Sequence, residues 1–488
     1  MTALVDVQLQ PEKIWSFFAE LTQIPRPSKH EQAVIDWIVA FAEARELAWE
    51  QDSIGNVIVR KSAMPGCEHL QTAILQSHID MVPQKNAETK HDFLVDPIKA
   101  YVDGDWVKAD GTTLGADNGM GVAAMMAVLD ASDIQHGPIE ALFTIDEEAG
   151  MTGAMNLDPG MLKGSLLFNL DTEDDGELYV GCAGGVDVNV DFDYEPLEVP
   201  ADVNAWQLSV KGLLGGHSGV DIHLTRGNAN KLLNRVIRKL LQAGIELNVA
   251  DIKGGSLRNA IAREAFATLL VPDFQEDELI TVLDEIAEEI AAEWQLAEPN
   301  LSITVVPTKS PADYIPLDDI LRLLRAIDAT PHGVTKMSVS LPGIVETSNN
   351  LGVIRAGKSK IKVRCLVRSL MDSARDEFCE EVAAGFYLAG ANVSFTGAYP
   401  GWAPKMDSPL LKAMSDTHED LFGFAPKVKV IHAGLECGIL GAIYPNWDMI
   451  SFGPTIRGAH SPDERVEIAA VARFWDLLKA ALERVPAA

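Results

Sequence analysis

Short apolar runs at Thr72–Leu75, Ile139–Ile145 and Leu166–Leu170, with another at Trp447–Phe452, set the tightest limit on how this chain can fold. Runs that are apolar throughout, rather than at every second position, are those of strands buried on both faces. Helical apolar spacing occupies the intervals around them. Lys13–Leu21 and Glu31–Arg45 read as helices, with Ser28 as the cap of the second, and Gly119–Leu129 is a small-residue-rich helix. Buried strands alternating with helices imply an α/β sheet covered on both sides.

From about Val186 the pattern changes. Val186–Tyr194, Trp206–Val210 and Ile361–Val367 alternate apolar with polar residues, as strands wetted on one face do. Between them lie long amphipathic helices, Asn228–Ala243, Glu276–Trp294, Leu317–Asp328 and Asp376–Leu388. After about Tyr399 the first pattern returns and closes on a helix at Val466–Val485. The expected architecture is therefore an α/β/α domain with a central mixed sheet (1–186 and 398–488), interrupted by an inserted α+β domain (187–397).

With 488 residues the chain has material for two or three domains. Its formal net charge of -31 argues against a nucleic-acid or anionic-membrane partner, because like charge repels phosphate. The amino-terminal residues lack the basic and apolar regions of a signal peptide, and the most apolar stretch, near Gly121–Leu129, falls far short of a membrane span. Five cysteines, odd in number and without CxxC spacing, fit the thiols of a reducing compartment better than a disulfide framework or a thiolate zinc site. A cytoplasmic location is the expectation.

Metal-ligating and acid–base residue types stand just beyond the apolar runs. His78 and Asp80 follow the first, Glu147 and Glu148 the second, and Asp171 the third. Asp117 opens the small-residue helix, and His460 lies past Trp447–Phe452. Each alone reads as an ordinary polar loop residue. Together they share one topological position, beyond the carboxyl ends of strands, where open α/β sheets bind ligands.

The segments SHID, GADNG, DEEAGMTGA, FNLDTED and GAHSPDE, in that order, resemble the M20 metallopeptidases, and GGHSG with HAGLECG is similar to the aminoacyl-histidine dipeptidase branch of that family. The resemblance implies a dinuclear centre in which His78 and Asp171 bind one metal, Glu148 and His460 the other, and Asp117 bridges both. Two histidines with carboxylates and no thiolate suit Zn²⁺, and Co²⁺ or Mn²⁺ can occupy such a set. Asp80 would orient His78 through its second ring nitrogen. Glu147 would be the general base that takes a proton from the attacking water and returns it to the leaving amine. The peptide bond after Asp117 would be cis.

For the inserted domain the resemblance implies a lid that also mediates a homodimer. His217 would donate to the developing oxyanion, acting across the dimer in some relatives. Arg368 would hold the substrate carboxylate, with Arg364 competing for that role. Asn259 would line the substrate and Glu436 would meet its amino end. Cys182 reads as structural. The function that follows is hydrolysis of dipeptides, including carnosine-like Xaa-His. Two rivals stay open: an amidohydrolase of N-acyl amino acids on the same fold, and a catalytically silent metal-binding scaffold.

Overall fold

The computed structural model describes residues 2–487; positions 1 and 488, at the outer ends of the expected α/β/α domain, lie outside them. The chain divides into two compact units. One comprises the residues up to Gly181, Pro404–Val430 and the residues from Leu435 onward; the other comprises Cys182–Ala403 and Ile431–Gly434.

The first unit is built on an eight-stranded mixed sheet in the order Ala48–Gln51, Val57–Lys61, Ile139–Thr144, Ala73–His78, Leu166–Asn169, Asp448–Ser451, Glu177–Cys182 and Lys427–Ile431. Ala73–His78 runs parallel to both its neighbours, with Ala73 opposite Ile139 on one side and Leu166 on the other. Asp448–Ser451 continues the parallel set beside Leu166–Asn169. Every residue of the three inner strands Ala73–His78, Ile139–Thr144 and Leu166–Asn169 is buried, the pattern of strands covered on both faces. Parallel pairing sends all four strands out at one edge, so the residues after each of them converge there by register alone.

The helix Ala116–Asp130 packs against Ala73–His78 and against the helix Glu12–Leu21. Its small residues have a steric reason. A Cβ on Gly121 would strike the side chains of Asn118 and Ser77 and would lie 2.6 Å from the Leu170 carbonyl oxygen. The helix Gln32–Ala44 starts after Glu31 without a side-chain cap. Ser28 is too far upstream to reach its first N–H groups, and its hydroxyl donates instead to Asp80 Oδ2 at 2.7 Å. A smaller five-stranded sheet contains the hairpin of Ile456–Arg457 with Arg465–Glu467, whose turn holds His460 and Glu464.

The second unit is a nine-stranded antiparallel sheet packed against four helices, Ala229–Gln242, Glu276–Trp294, Leu317–Ala329 and Asp372–Leu388. Val188, Leu208, Val236, Leu323 and Phe386 belong to its core. Asn228 caps the first of these helices, accepting from the N–H groups of Asn230 and Lys231. Among the described residues no helix is long and apolar enough to cross a membrane.

Gly121→Ala should lower the melting temperature. Helix propensity favours alanine by about 1 kcal/mol, but overpacking a filled core costs about 1–3 kcal/mol, and here one contact is a backbone oxygen that cannot swing away. Thermal unfolding checks this; an unchanged or raised midpoint would contradict it.

Candidate metal centre

At the carboxyl edge of the parallel strands, the side chains form two three-ligand groups that share one residue. His78, Asp117 and Asp171 make one, and Asp117, Glu148 and His460 the other. Asp117 Oδ1 lies 3.2 Å from His78 Nε2, and Asp117 Oδ2 lies 3.2 Å from His460 Nε2. The first group is completed by Asp171 Oδ1, 3.3 Å from His78 Nε2, and the second by Glu148 Oε2, 2.9 Å from His460 Nε2. Ligands on a tetrahedral ion with bonds of about 2.0–2.1 Å stand about 3.3–3.4 Å apart, so these separations fit ions seated between them. Glu148 Oε1 is buried with no hydrogen-bond partner among the described residues, a polar atom that a cation would satisfy. The donors are imidazole and carboxylate throughout, with no thiolate in either group.

The backbone sets this arrangement. His78 ends its strand, and its Nδ1 lies 3.3 Å from Asp80 Oδ1, which leaves the Nε2 lone pair for the centre. Asp80 also accepts from the N–H of Glu147 at 3.0 Å and the N–H of Glu148 at 3.2 Å. One buried carboxylate thus orients the histidine and the Glu147–Glu148 pair together. Glu147 Oε2 stands 3.9 Å from His78 Nε2. It is close enough to join a ligand group with His78 and Glu148, but it is farther from a histidine than any member of the two groups above. The Asp117–Asn118 peptide is cis, and the Asn118 side-chain amide donates to Asp171.

Five carboxylates, Asp80, Asp117, Glu147, Glu148 and Asp171, packed around the imidazoles of His78 and His460 make a strongly negative pocket. Hydrogen bonds to Asp117 and Glu148 raise His460 to about 11 against the opposing effect of burial. Burial pushes His78 down, but Asp171, Asp117 and Asp80 overcome it and hold its pKa well above the ordinary value. Burial raises Glu147 well above the usual carboxylate range, and the charges of Asp171, Glu148 and Glu436 add to the rise. A field that favours protonated imidazoles favours divalent cations for the same reason.

Glu436 belongs to the first unit. It has no exposed surface, and its Oε2 accepts from Gln76 Nε2 at 2.6 Å and Thr144 Oγ1 at 2.8 Å. Both partners lie on the inner strands, so Glu436 sits at the same sheet edge as the centre. His217, Asn259 and Arg368 belong to the second unit. His217 Nδ1 accepts from the N–H groups of Gly219 and Val220, which puts the ring proton on Nε2. Gly216 and His217 pair with Ile261 and Ala260, and the Ser218 N–H donates to the Asn259 carbonyl; the Asn259 side chain is exposed. Arg368 is buried, donates to Tyr399 Oη at 2.7 Å and lies 3.4 Å from Ser218 Oγ. Among the described residues no carboxylate ion-pairs with Arg368, whereas Arg364 is engaged by Asp191 at 3.1 Å.

Three residues that support the centre carry no signal of this role in the sequence. They are Ser28; Arg26, whose guanidinium donates to the carbonyls of Ile79, Asp80 and Gly115; and Glu464, which accepts from backbone N–H groups of the Asp117 loop. A Cβ on Gly115 would come within 2.6 Å of Arg26 Nη2, which explains one glycine of the GADNG segment.

Residues 74–484 match the profile of Peptidase family M20/M25/M40. The chain is 44% identical over 483 residues to the cytosol non-specific dipeptidase of Escherichia coli, covering 98% of this chain and 99% of that protein. The crystal structure of aminoacylhistidine dipeptidase from Vibrio alginolyticus superposes with a TM-score of 0.88 at 47% identity, covering 98% of each chain. A Staphylococcus aureus tripeptidase, at 16% identity with a TM-score of 0.57 over 98% of this chain and 99% of its own, shares the fold.

Asp80→Ala should weaken divalent-metal binding by about 10–100-fold, the usual effect of removing a group that orients a ligand. Competition with a chromophoric chelator reads this directly, and an affinity equal to the wild type's would contradict the role given to Asp80.

Proposed function

The chain belongs to peptidase family M20/M25/M40, and we propose that it is a dipeptidase working with two divalent metal ions, zinc first among the candidates. The observation that carries this reading is Asp117, whose two oxygens face two different histidines at 3.2 Å. Near-complete coverage at 44% and 47% identity, against relatives named as dipeptidases, favours a dipeptide substrate over an N-acyl amino acid. Xaa-His dipeptides are included on the strength of the Vibrio alginolyticus relative's name. A cytoplasmic setting follows in the same way from the Escherichia coli relative's name.

His78 and Asp171 would hold one ion, Glu148 and His460 the other, and Asp117 would serve both. Ions held there would supply Lewis acidity for acidifying a water and polarising the scissile carbonyl. Glu147 is the acid–base group. Its burial beside Asp171 and Glu148 raises its affinity for a proton, which suits a carboxylate that must accept a proton from water and then release it to the leaving amine. Asp80 fixes Glu147 through its backbone N–H. In the second unit, which we take to be the lid of a homodimer, His217 presents its Nε2–H as an oxyanion donor. Arg368, whose hydrogen-bond partners among the described residues are the neutral Ser218 and Tyr399, holds the substrate's terminal carboxylate, because a guanidinium fork matches a carboxylate bidentately. Asn259, in the turn just before the strand that pairs with His217, lines the substrate; its carbonyl accepts from the Ser218 N–H.

A panel of dipeptides, with Xaa-His among them, assayed beside the matching N-acetyl amino acids tests the substrate class. Dipeptides should be cleaved, a chelator should stop the reaction, and added divalent metal should restore it. Cleavage of the N-acetyl compounds alone would overturn the reading. In the metal-loaded protein Glu147→Ala should lower kcat by about 10²–10⁴-fold while two ions per chain remain bound. Retained turnover would remove Glu147 from its role.

A further inference from the structure

Asp117 is held in place through its backbone, and the group that holds it comes from the other end of the chain. Glu464 is 2% exposed. Its Oε2 accepts from the N–H of Leu114 at 2.7 Å and the N–H of Gly115 at 2.9 Å, and its Oε1 accepts from the N–H of Asp117 at 3.1 Å. Glu464 shares the hairpin turn of His460, between the register pairs Ile456–Val466 and Arg457–Arg465, where Gly458 and His460 take left-handed backbone angles of 71° and 62°. One carboxylate thus fastens the loop that carries His460 to the loop that carries Asp117.

The Asp117 loop has a second fastener in Arg26. Arg26 donates to the carbonyls of Ile79 and Asp80, just after His78, and to the carbonyl of Gly115 at 2.5 Å. The approach of His78 to Asp117 is therefore secured by Arg26, and the approach of His460 to Asp117 by Glu464. No other side chain described at the centre links the His460 turn to the Asp117 backbone.

We propose that Glu464 is a positioning residue that sets the ion affinity of the Asp117–Glu148–His460 half of the centre without contacting the ion, while the His78–Asp117–Asp171 half depends on Arg26. This rests on the two-ion reading above. A carboxylate bonded to three backbone N–H groups has a fixed position, and its loss leaves three backbone donors unpaired, two of them buried, and lets the His460 turn move as a body.

The test is stepwise titration of the demetallated full chain with Co²⁺ or Zn²⁺ against a competing chelator, for wild type, Glu464→Ala and Glu464→Gln. The wild type should take up two ions. In Glu464→Ala one ion should bind within about threefold of the wild-type affinity and the other about 10–100-fold more weakly. Adding His460→Ala to that background should leave the tight ion unchanged. Activity of Glu464→Ala should be lost at limiting metal and recover towards the wild-type kcat as free metal is raised, a rescue that a general folding defect does not show. Glu464→Gln keeps one acceptor oxygen and the side-chain volume, so it should fold and show the same asymmetry to a smaller degree; it decides the matter if the alanine variant does not fold. Equal weakening of both ions, or no weakening of either, in a folded variant would overturn the proposal. A wild type that binds fewer than two ions would instead overturn the two-ion reading.

Discussion

Asp117 turns one carboxylate oxygen towards His78 and the other towards His460, each at 3.2 Å, and both halves of the centre are defined by that division. Two cations that share an aspartate must lie close together, and their mutual repulsion has to be offset by surrounding negative charge. Asp171, Glu148, Glu147 and Asp80 supply it from a buried edge where solvent screening is weak. The same crowding that lifts Glu147 and His460 from their ordinary pKa values makes the site a strong attractor for divalent ions.

The fold produces this arrangement by register. Ala73–His78 pairs in parallel with both neighbours, so its end, the Glu147–Glu148 turn and Asp171 emerge side by side. Asp117 and His460 reach the same edge from loops that the sheet does not position. The Asp117 loop is tied to the end of the His78 strand by buried Arg26 and to the His460 turn by buried Glu464, each bonded to backbone groups. The sheet determines where the centre lies, and these two side chains determine how closely its two halves meet.

Strands and helices were legible in the sequence because burial on both faces leaves continuous apolar runs and a buried helix face leaves its own spacing. The helix expected at Glu276–Trp294 has those ends in the structure. The residues that meet at the centre stood out as acids and histidines repeating one topological position. Arg26, Ser28 and Glu464 did not stand out, because two of them bond to backbone groups, which have no sequence identity, and the partner of Ser28 is distant in sequence. Ser28 looked like a helix cap for want of any visible partner. Glu436 opens the helix Glu436–Ile443 and is buried against Gln76 and Thr144, polar residues of strands recognised by their apolar stretches. The same HAGLECG segment divides between the two units, with His432 bonded to Ser348 in the second and Glu436 in the first.

Anomalous diffraction from crystals grown with Zn²⁺ or Mn²⁺ addresses the shared aspartate most directly. Two peaks should appear about 3.5–4 Å apart, one against His78 and Asp171 and one against Glu148 and His460, with an oxygen of Asp117 on each. A single peak at full loading, or two peaks that do not both contact Asp117, would contradict the account.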